Sequence, residues 1–340
     1  MPCIILTHPD CLAHNPGVGH PETPKRLKAS LQGIQDLPQN AFVHIVTTKA
    51  ERTNLLCIHS ETYVDQILNS AGTYFNIDYE TKLSPYSVSS ALWAAGAVLE
   101  GTRIVFDRTK IFNRALAIVR PPGHHAGKTQ GQGYCIFNNV ALAAYEALHL
   151  GAERVAIIDI DAHFGNGTQE IFNDNPRILM IDIHQRDLFP RGGNTEDKGQ
   201  NRGYGFTINI PIDIGNDQEY ITILDSIVAP AFRLFLPDIV IVALGFDAHK
   251  NDLLSNLCIS THGYESIMKR LSSFALQYAQ NRLLAVLEGG YDLHSLPECI
   301  KHTILALSSD QLLTHELVNN DDPILNSLKI GIQREFQKNI

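Results

Sequence analysis

Short apolar, β-branched runs alternate with longer helical patterns along most of the 340-residue chain. This alternation is typical of parallel strands that are joined by crossover helices. It predicts an α/β fold with a central, mostly parallel sheet of about eight strands and helices on both faces. The predicted strands lie at residues 3–6, 114–119, 154–159, 177–182, 206–212, 238–244 and 282–288.

The predicted helices lie between these strands, and several follow Ser, Thr, Asn or Asp residues that can cap a helix. No Gly/Ser/Pro-rich linker, low-complexity tract or internal repeat divides the sequence, which favours one domain. We expect residues 1–310 to form this domain and residues 311–340 to be a C-terminal tail packed on it. The predicted helices lie near residues 24–36, 60–70, 87–101, 139–150, 217–235, 262–280 and 294–308.

Composition narrows the class of protein. Hydrophobic residues make up 44% of the chain and charged residues 19%, which is typical of a globular protein with a large core. No apolar run is long enough to span a bilayer and the N-terminus lacks signal-peptide features, so we expect a cytoplasmic protein without membrane contact. The six cysteines form no C-x-x-C pair, which argues against disulfides and thiolate metal sites. A net charge of −9 argues against direct nucleic-acid binding. The sequence leaves open whether the protein forms an oligomer.

Polar side chains follow the carboxyl ends of five predicted strands. Because these ends meet at one edge of a parallel sheet, we expect the polar groups to converge on a single site. They are His124 and His125; Asp159, Asp161 and His163; His184; Asp247; and Tyr291.

The sequence DIDAH places three of these groups at every second position. Asp159, Asp161 and His163 share one face of the strand end, and Asp247 comes from another strand. Asp161, His163 and Asp247 would leave one coordination position open, as a catalytic zinc requires, although Fe²⁺ or Mn²⁺ also suits such donors. A single Asp or His more often caps a loop, but three together favour a metal site.

His124 and His125 follow the stiff turn RPPG. Tandem histidines on a rigid turn can act on one water molecule, and a nearby metal would lower the pKa of that water. Tyr291, after two glycines, could donate a hydrogen bond to a developing oxyanion. Surface exposure for the histidines and core packing for the tyrosine are the alternatives.

Six ordered motifs resemble those of the histone deacetylase family, over roughly the first 310 residues. The sequence NGTQ (166–169), which ends the fourth of these motifs, and the sequence EGGY are more similar to the class II branch and its bacterial relatives. These relatives include acetylpolyamine amidohydrolases and acetoin-utilisation proteins. The motifs are HPETPKRL (20–27), RPPGHHA (120–126), GYCIFNN (133–139), DIDAHFGNGTQ (159–169), GFDAH (245–249) and EGGYDL (288–293).

This resemblance implies an arginase/deacetylase-type fold and Zn²⁺-dependent hydrolysis of an N-acetyl amide to an amine and acetate. Asp161, His163 and Asp247 would bind the zinc ion. A structural K⁺, also implied by the resemblance, would involve Asp159, Asp161, His163 and Asp182.

The resemblance also implies roles for the other residues of the site. His125 would be the general base and His124 its electrostatic or acid partner, with Asp159 orienting His124 and Asn166 orienting His125. Tyr291 would polarise the acetyl carbonyl opposite the metal. The substrate-binding residues would be Gly133, through its carbonyl; Tyr134 and Phe189, flanking the acyl chain; and Glu80, at the rim.

Three positions depart from the family pattern. Phe164 replaces a second histidine after His163, which should remove a hydrogen bond near the metal. Asp252-Leu253-Leu254 replaces Asp-Pro-Leu at the rim, and Tyr134 replaces phenylalanine, adding a hydroxyl to the channel.

Several functions stay open at the level of sequence. Acetyl-lysine in proteins is the expected substrate, and an acetylpolyamine or another small acylated amine is the alternative. A binding protein of the same fold with little turnover is a second alternative. Such a protein would not need all three metal ligands, both histidines and Tyr291, and this sequence has all six. A binuclear manganese enzyme would require further carboxylates near the metal.

Overall fold

The central sheet of the computed structural model has eight strands, all of them parallel to their neighbours, in the order β2-β1-β5-β10-β9-β6-β7-β8. The structure describes residues 2–38, 40–107, 112–313 and 322–336. It confirms the predicted single α/β domain. The strands are β1 (Cys3–Thr7), β2 (Phe42–Val46), β5 (Arg114–Ala117), β6 (Val155–Asp159), β7 (Ile178–Gln185), β8 (Thr207–Ile212), β9 (Ile239–Leu244) and β10 (Leu283–Leu287), while β3 (Phe75–Asn76) and β4 (Lys82–Leu83) form a separate antiparallel pair.

The five strands that precede the polar groups occupy consecutive central places in the sheet: β5, β10, β9, β6 and β7. Strands β6, β9 and β10 are buried along their whole length because helices cover both faces of the sheet. Their carboxyl ends therefore lie side by side. One strand end was predicted wrongly: β7 continues to Gln185, so His184 lies within the strand.

The helices around the sheet agree with the predicted positions, with three additions, α2, α6 and α11. The predicted helix at 217–235 consists of α7 and α8 joined by a π-helical turn, Leu224–Val228. No described helix is both long and apolar enough to cross a membrane. The helices are α1 (Pro24–Gln35), α2 (Arg52–Leu55), α3 (Glu61–Asn69), α4 (Ser87–Phe106), α5 (Asn139–His149), α6 (Asn166–Phe172), α7 (Asp217–Ile223), α8 (Ala229–Phe235), α9 (Thr261–Tyr278), α10 (Leu296–Leu307) and α11 (Pro323–Phe336).

Helix α11 lies within the segment that the sequence predicts to be a tail. Leu325 and Leu328 on this helix are fully buried. The ring of Phe336 lies 5.9 Å from that of Phe206, and Arg334 donates a hydrogen bond of 2.7 Å to the carbonyl of Arg202. Helix α11 therefore packs on the segment that leads into β8. The boundary at residue 310 stays a prediction, and residues 314–321 and 337–340 lie outside the described part of the chain.

A buried ion network holds the start of α1 against the sheet. The Oε1 atom of Glu22 accepts hydrogen bonds from Arg120 Nε at 2.5 Å and from Arg26 Nη1 at 3.1 Å, and His14 Nε2 lies 3.2 Å from Oε2. Burial opposes ionisation of Glu22, but Arg120 above all, with the other two partners, holds its pKa well below the usual range. Arg26 also donates to the carbonyl of Gly290 at 2.6 Å, which connects the network to the end of β10.

Substitution Glu22→Gln should lower the free energy of unfolding by about 3–5 kcal/mol, because two buried guanidinium groups would lose their counter-charge. Since the folded-state pKa is depressed, the contribution of Glu22 is present above its ordinary pKa of 4.5 and is lost as the pH falls below that value. Urea denaturation at neutral and acidic pH would measure both effects.

The control for this experiment is Glu61→Gln. Glu61 is exposed and pairs with Arg52 at the surface at 2.7 Å, so its replacement should change stability little. Equal stability of the two variants would contradict a structural role for the buried network.

Candidate active site and metal centre

A cleft of about 210 Å³ opens at the carboxyl ends of the central strands. It brings together predicted residues from six separate segments of the sequence, including His124, His125, His163 and Tyr291 of the strand-end groups, whereas His184 does not line it. Its lining residues are Glu80, Pro122, His124, His125, Gly133, Tyr134, Cys135, His163, Leu188, Phe189, Leu254, Gly289 and Tyr291.

Asp161, His163 and Asp247, here called the Asp–His–Asp group, meet at the floor of this cleft. His163 Nδ1 lies 3.1 Å from Asp161 Oδ1 and 3.0 Å from Asp247 Oδ2. One donor atom from each side chain lies within 4.8 Å of the other two. Both carboxylates are fully buried, and the imidazole is the member nearest to the open cleft.

Backbone amides fix the two carboxylates in place. Asp161 Oδ2 accepts a hydrogen bond of 2.8 Å from the amide of Gly289, and Asp247 Oδ1 accepts one of 2.8 Å from Ala162. A Cβ atom at position 289 would lie only 2.1 Å from Asp247 Oδ2, so the close approach of this backbone requires glycine.

The electrostatics of the Asp–His–Asp group suit a cation. Burial, followed by the charge of Asp161, raises the pKa of Asp247 to about 6. Burial opposes protonation of His163, but Asp247 and Asp161 outweigh it and raise its pKa to about 10. In the absence of a metal the group therefore holds a proton on His163 between two carboxyl groups. A divalent ion could replace that proton, and one imidazole with two carboxylates is a suitable set of ligands.

The adjacent His124 and His125 have different partners. His124 Nδ1 lies 3.0 Å from Asp159 Oδ2, whereas His125 Nδ1 lies 2.9 Å from Asn166 Oδ1. An amide oxygen only accepts hydrogen bonds, so the neutral His125 carries its proton on Nδ1 and offers a lone pair on Nε2. The two orienting residues lie where the sequence analysis expects them.

The same surroundings shift the pKa values of the two histidines in opposite directions. Burial opposes charge on His124, but Asp161 and Asp159 outweigh it and raise its pKa well above the usual range. Burial, with the nearby charges of His124 and His163, lowers the pKa of His125 well below it. Opposite shifts in adjacent groups are typical of an acid and base pair.

Tyr291 lines the cleft together with these histidines. Burial above all, with the charges of Asp247 and Asp161, raises the pKa of its phenol well above the usual value, although Arg26 opposes the shift. The phenol therefore keeps its proton and can donate a hydrogen bond. The guanidinium of Arg26 lies over the Tyr291 ring, 4.6 Å from its centre, in a cation–π contact.

Comparison with known proteins agrees with this geometry. The family model of the histone deacetylase domain matches residues 20–307. The chain belongs to the histone deacetylase family. It is 35% identical to a probable deacetylase of Archaeoglobus fulgidus, over 85% of this chain and 81% of that protein. It is 33% identical to histone deacetylase 5 of Arabidopsis thaliana, over 87% of this chain but only 47% of that protein.

A solved structure extends this likeness to three dimensions. The crystal structure of the HDA15 HD domain superimposes with a TM-score of 0.87 at 30% identity, and the match covers 98% of this chain and 95% of that one. The fold predicted from the motifs is therefore confirmed as that of a histone deacetylase. Metal dependence is general in this family, and the Asp–His–Asp group gives this member donors for an ion.

The walls of the cleft contain the two aromatic residues that the resemblance places there. Phe189 lies 5.3 Å from the ring of His125, and Tyr134 lies 6.0 Å from that of Tyr291. Gly133 has a φ of +55°, and a Cβ atom there would lie 2.4 Å from the His125 ring. Glu80 is exposed at the mouth of the cleft, where its backbone carbonyl lies 2.9 Å from His20 Nε2.

Two of the predicted departures from the family pattern, at Phe164 and in the rim sequence, affect contacts in or near the cleft. Phe164 packs with its ring centre 5.1 Å from that of His184, and His184 Nε2 is left without a hydrogen-bond partner. Of the changed rim sequence, Leu254 lines the cleft while Leu253 is exposed.

The sequence analysis missed two carboxylates that shape the site. Glu288 Oε2 accepts hydrogen bonds from the amides of Gly123 at 2.6 Å and His124 at 3.1 Å, which fixes the turn that carries the histidine pair. Asp252 Oδ2 accepts the amide of Tyr291 at 2.5 Å. Glu288 stands in the motif EGGYDL and Asp252 in the changed rim sequence, but hydrogen bonds to a distant backbone amide leave no pattern in the sequence.

Proposed function

We propose that this member of the histone deacetylase family is a Zn²⁺-dependent hydrolase that removes acetyl groups from acetyl-lysine in proteins. The observation that carries the proposal is the meeting, in one cleft, of the Asp–His–Asp group, Tyr291 and two adjacent histidines with different hydrogen-bond partners. The sequences around Asn166 and Tyr291 support placement with the class II-like and bacterial members.

The proposed metal ligands are Asp161, His163 and Asp247, with the fourth position open to water and substrate. A zinc ion bound there would polarise the acyl carbonyl and lower the pKa of a water molecule. The carboxylate-rich donor set would also accept Fe²⁺.

The two histidines have different roles, because His125 carries both proton transfers and His124 acts through its charge. His125 Nε2 accepts a proton from the attacking water, because its imidazole is neutral and Asn166 fixes the tautomer. His124 stays protonated beside Asp159 and stabilises the negative charge that develops on the substrate. As the C–N bond breaks, the proton on His125 passes to the leaving nitrogen, and the products are acetate and a free amine.

The substrate chain is proposed to lie between Tyr134 and Phe189. Their rings offer apolar walls to a methylene chain, and the carbonyl of Gly133 is the proposed acceptor for the amide N–H. The negatively charged side chain of Glu80 at the mouth is the proposed contact for the substrate backbone. An acetylated polyamine presents a similar chain and is the alternative substrate.

A structural K⁺ is also part of the proposal, near Asp159, Asp161, His163 and Asp182. Its support is the crowding of two buried carboxylates around Gly165, where a Cβ atom would lie 2.4 Å from Asp159 Oδ2 and 3.1 Å from Asp182 Oδ2. A monovalent cation with oxygen ligands would offset this concentrated negative charge.

An activity panel over acetyl-lysine peptides, acetylated polyamines and longer acyl-lysines tests the proposed substrate. We expect the highest kcat/KM with acetyl-lysine peptides, together with one catalytic zinc ion per chain. Highest activity on a polyamine would favour the alternative substrate. Zinc-loaded protein that hydrolyses none of these compounds would contradict the proposal and indicate an acyl-amine-binding protein.

Substitution Tyr291→Phe should lower kcat by about 10²–10³-fold with little change in KM, because the phenol donates to the carbonyl oxygen mainly in the transition state. Steady-state kinetics on the best acetylated substrate would measure the loss. Tyr278→Phe, at the end of α9, is the matched control and should retain full activity. Wild-type kcat in stable, zinc-loaded Tyr291→Phe would contradict the assigned role.

A further inference from the structure

A second group of metal-binding side chains lies on the outer surface where α9 packs on α10. It consists of His262 and Glu265 on α9 and Glu298 and His302 on α10, here called the α9–α10 cluster. None of the four residues lines the catalytic cleft. Nothing in the proposed reaction uses them.

Helical spacing explains how each helix presents two of these groups on one side. His262 and Glu265 are three residues apart, and Glu298 and His302 are four apart, so each pair shares a helix face. Packing of α9 against α10 then brings the two faces together. The ring centres of His262 and His302 are 4.9 Å apart, at an interplanar angle of 83°.

The donor atoms already lie close to the spacing that a metal requires. Glu265 Oε2 lies 3.3 Å from His262 Nδ1 and 2.7 Å from His302 Nδ1. The three donors lie within 4.8 Å of one another. Ligands of a tetrahedral zinc ion at about 2.0–2.1 Å are separated by roughly 3.3 Å, so the contact of Glu265 with His262 already fits this spacing and the contact with His302 would need to widen. His302 Nε2 lies 3.9 Å from Glu298 Oε2, which makes this carboxylate a nearby partner for the imidazole.

Lysine side chains pair with both carboxylates of the α9–α10 cluster. Burial opposes ionisation of Glu265, but Lys269, His302 and His262 outweigh it and lower its pKa to about 2, so the carboxylate is available as a ligand. Lys269 Nζ lies 2.6 Å from Glu265 Oε1 and Lys301 Nζ lies 3.4 Å from Glu298 Oε2. The lysine on α9 contacts the oxygen that the imidazoles do not use, so it neutralises the carboxylate without occupying the donor position.

We propose that the α9–α10 cluster binds a divalent transition metal ion, separate from the catalytic centre, through His262, Glu265 and His302. Two imidazoles and one carboxylate favour Zn²⁺, Ni²⁺ or Cu²⁺ over Mg²⁺ or Ca²⁺, which prefer oxygen ligands throughout. Because the ligands come from two helices, the bound ion links α9 to α10 and stabilises their packing.

Metal stoichiometry in variants of the full chain tests this proposal. After saturation with Zn²⁺ and removal of loosely held ions, wild-type protein should retain one ion more than His262→Ala, with affinity for the second ion at least roughly 100-fold weaker in the variant. His262 is 80% exposed, so this substitution leaves folding intact. His302→Gln should have the same effect. His294→Ala is the matched control, since His294 lies in the same recess but outside the cluster, and it should keep the ion.

Two further measurements separate this site from the catalytic one. Asp247→Asn should lose the catalytic ion and keep the ion on the α9–α10 cluster, whereas His262→Ala should keep full deacetylase activity. Electron paramagnetic resonance of added Cu²⁺ should show coupling to two imidazole nitrogens that disappears in His262→Ala. Equal metal content in wild type, His262→Ala and His302→Gln would overturn the second site, whatever the outcome at Asp247.

Discussion

Asp247→Asn should deprive the protein of its catalytic ion and reduce amide hydrolysis to background. Asparagine keeps the size of the side chain and an oxygen for the amide of Ala162, which donates to Asp247 Oδ1 at 2.8 Å. It removes the negative charge that a divalent ion requires. Loss of one ligand should weaken metal binding by more than about 100-fold, beyond the effect of residues that only contact a ligand. Metal analysis after dialysis and an assay with and without added Zn²⁺ would measure both losses.

The melting temperature of metal-free protein distinguishes loss of the metal from loss of structure in Asp247→Asn. The pKa of Asp247 is raised to about 6, first by burial and then by Asp161. A raised pKa means that the ionised carboxylate costs stability in metal-free protein as the pH rises above the unfolded value. Asp247→Asn removes this cost but also removes the charge that, with Asp161, holds a proton on His163, so metal-free Asp247→Asn should melt close to metal-free wild type at pH 7. A chelator should inactivate wild type reversibly.

The matched control is Asp225→Asn, which removes a carboxylate paired with Arg270 at 3.0 Å, away from the cleft. It should keep both metal content and turnover. Normal zinc content in Asp247→Asn would show that the third ligand was chosen wrongly, and full activity in thoroughly metal-free wild type would contradict the proposed mechanism.

His125→Ala should lower kcat by about 10²–10⁴-fold, the usual contribution of a positioned general base, while the metal stays bound. His125 is held by Asn166 and is not part of the Asp–His–Asp group, so the effect should appear in the chemical step. Single-turnover kinetics and metal analysis on the same preparation would test this. Asn166→Ala should give a smaller loss, because the base would remain but its tautomer would no longer be fixed.

A surface histidine provides the control for this substitution. His44 on β2 is exposed, and His44→Ala should keep wild-type kinetics. If His125→Ala changes KM alone, this histidine binds substrate and another group is the base. His124→Ala is less informative, because the rings of the two histidines are 4.0 Å apart and their titrations are coupled.

The fold could be predicted largely because its strands are buried on both faces. Strands such as β6, β9 and β10 form continuous apolar runs that are visible in the sequence. Strand β2 was missed because it lies at the edge of the sheet, where the exposed His44 interrupts the apolar run. Helix α6 was missed because its seven residues are too few to show a helical period.

Convergence of the Asp–His–Asp group could be predicted from strand polarity, because its members follow the carboxyl ends of β6 and β9. The supporting carboxylates could not, because Asp252 and Glu288 bind backbone amides, which every residue type carries. The α9–α10 cluster was missed for another reason. Its two halves are more than thirty residues apart in sequence, and their meeting depends on how two helices pack.

The bare backbone at Gly133 limits how this enzyme can change during evolution. Any side chain at this position would collide with the imidazole of His125 and with Phe189, whose nearest ring atom would be 2.9 Å away. Changes in the shape of the cleft must therefore come from other lining positions, such as Leu254 at the rim. A chemist seeking a selective inhibitor has the same choice, and the Tyr134 hydroxyl, which the resemblance predicts to be a departure from phenylalanine, is the feature to address.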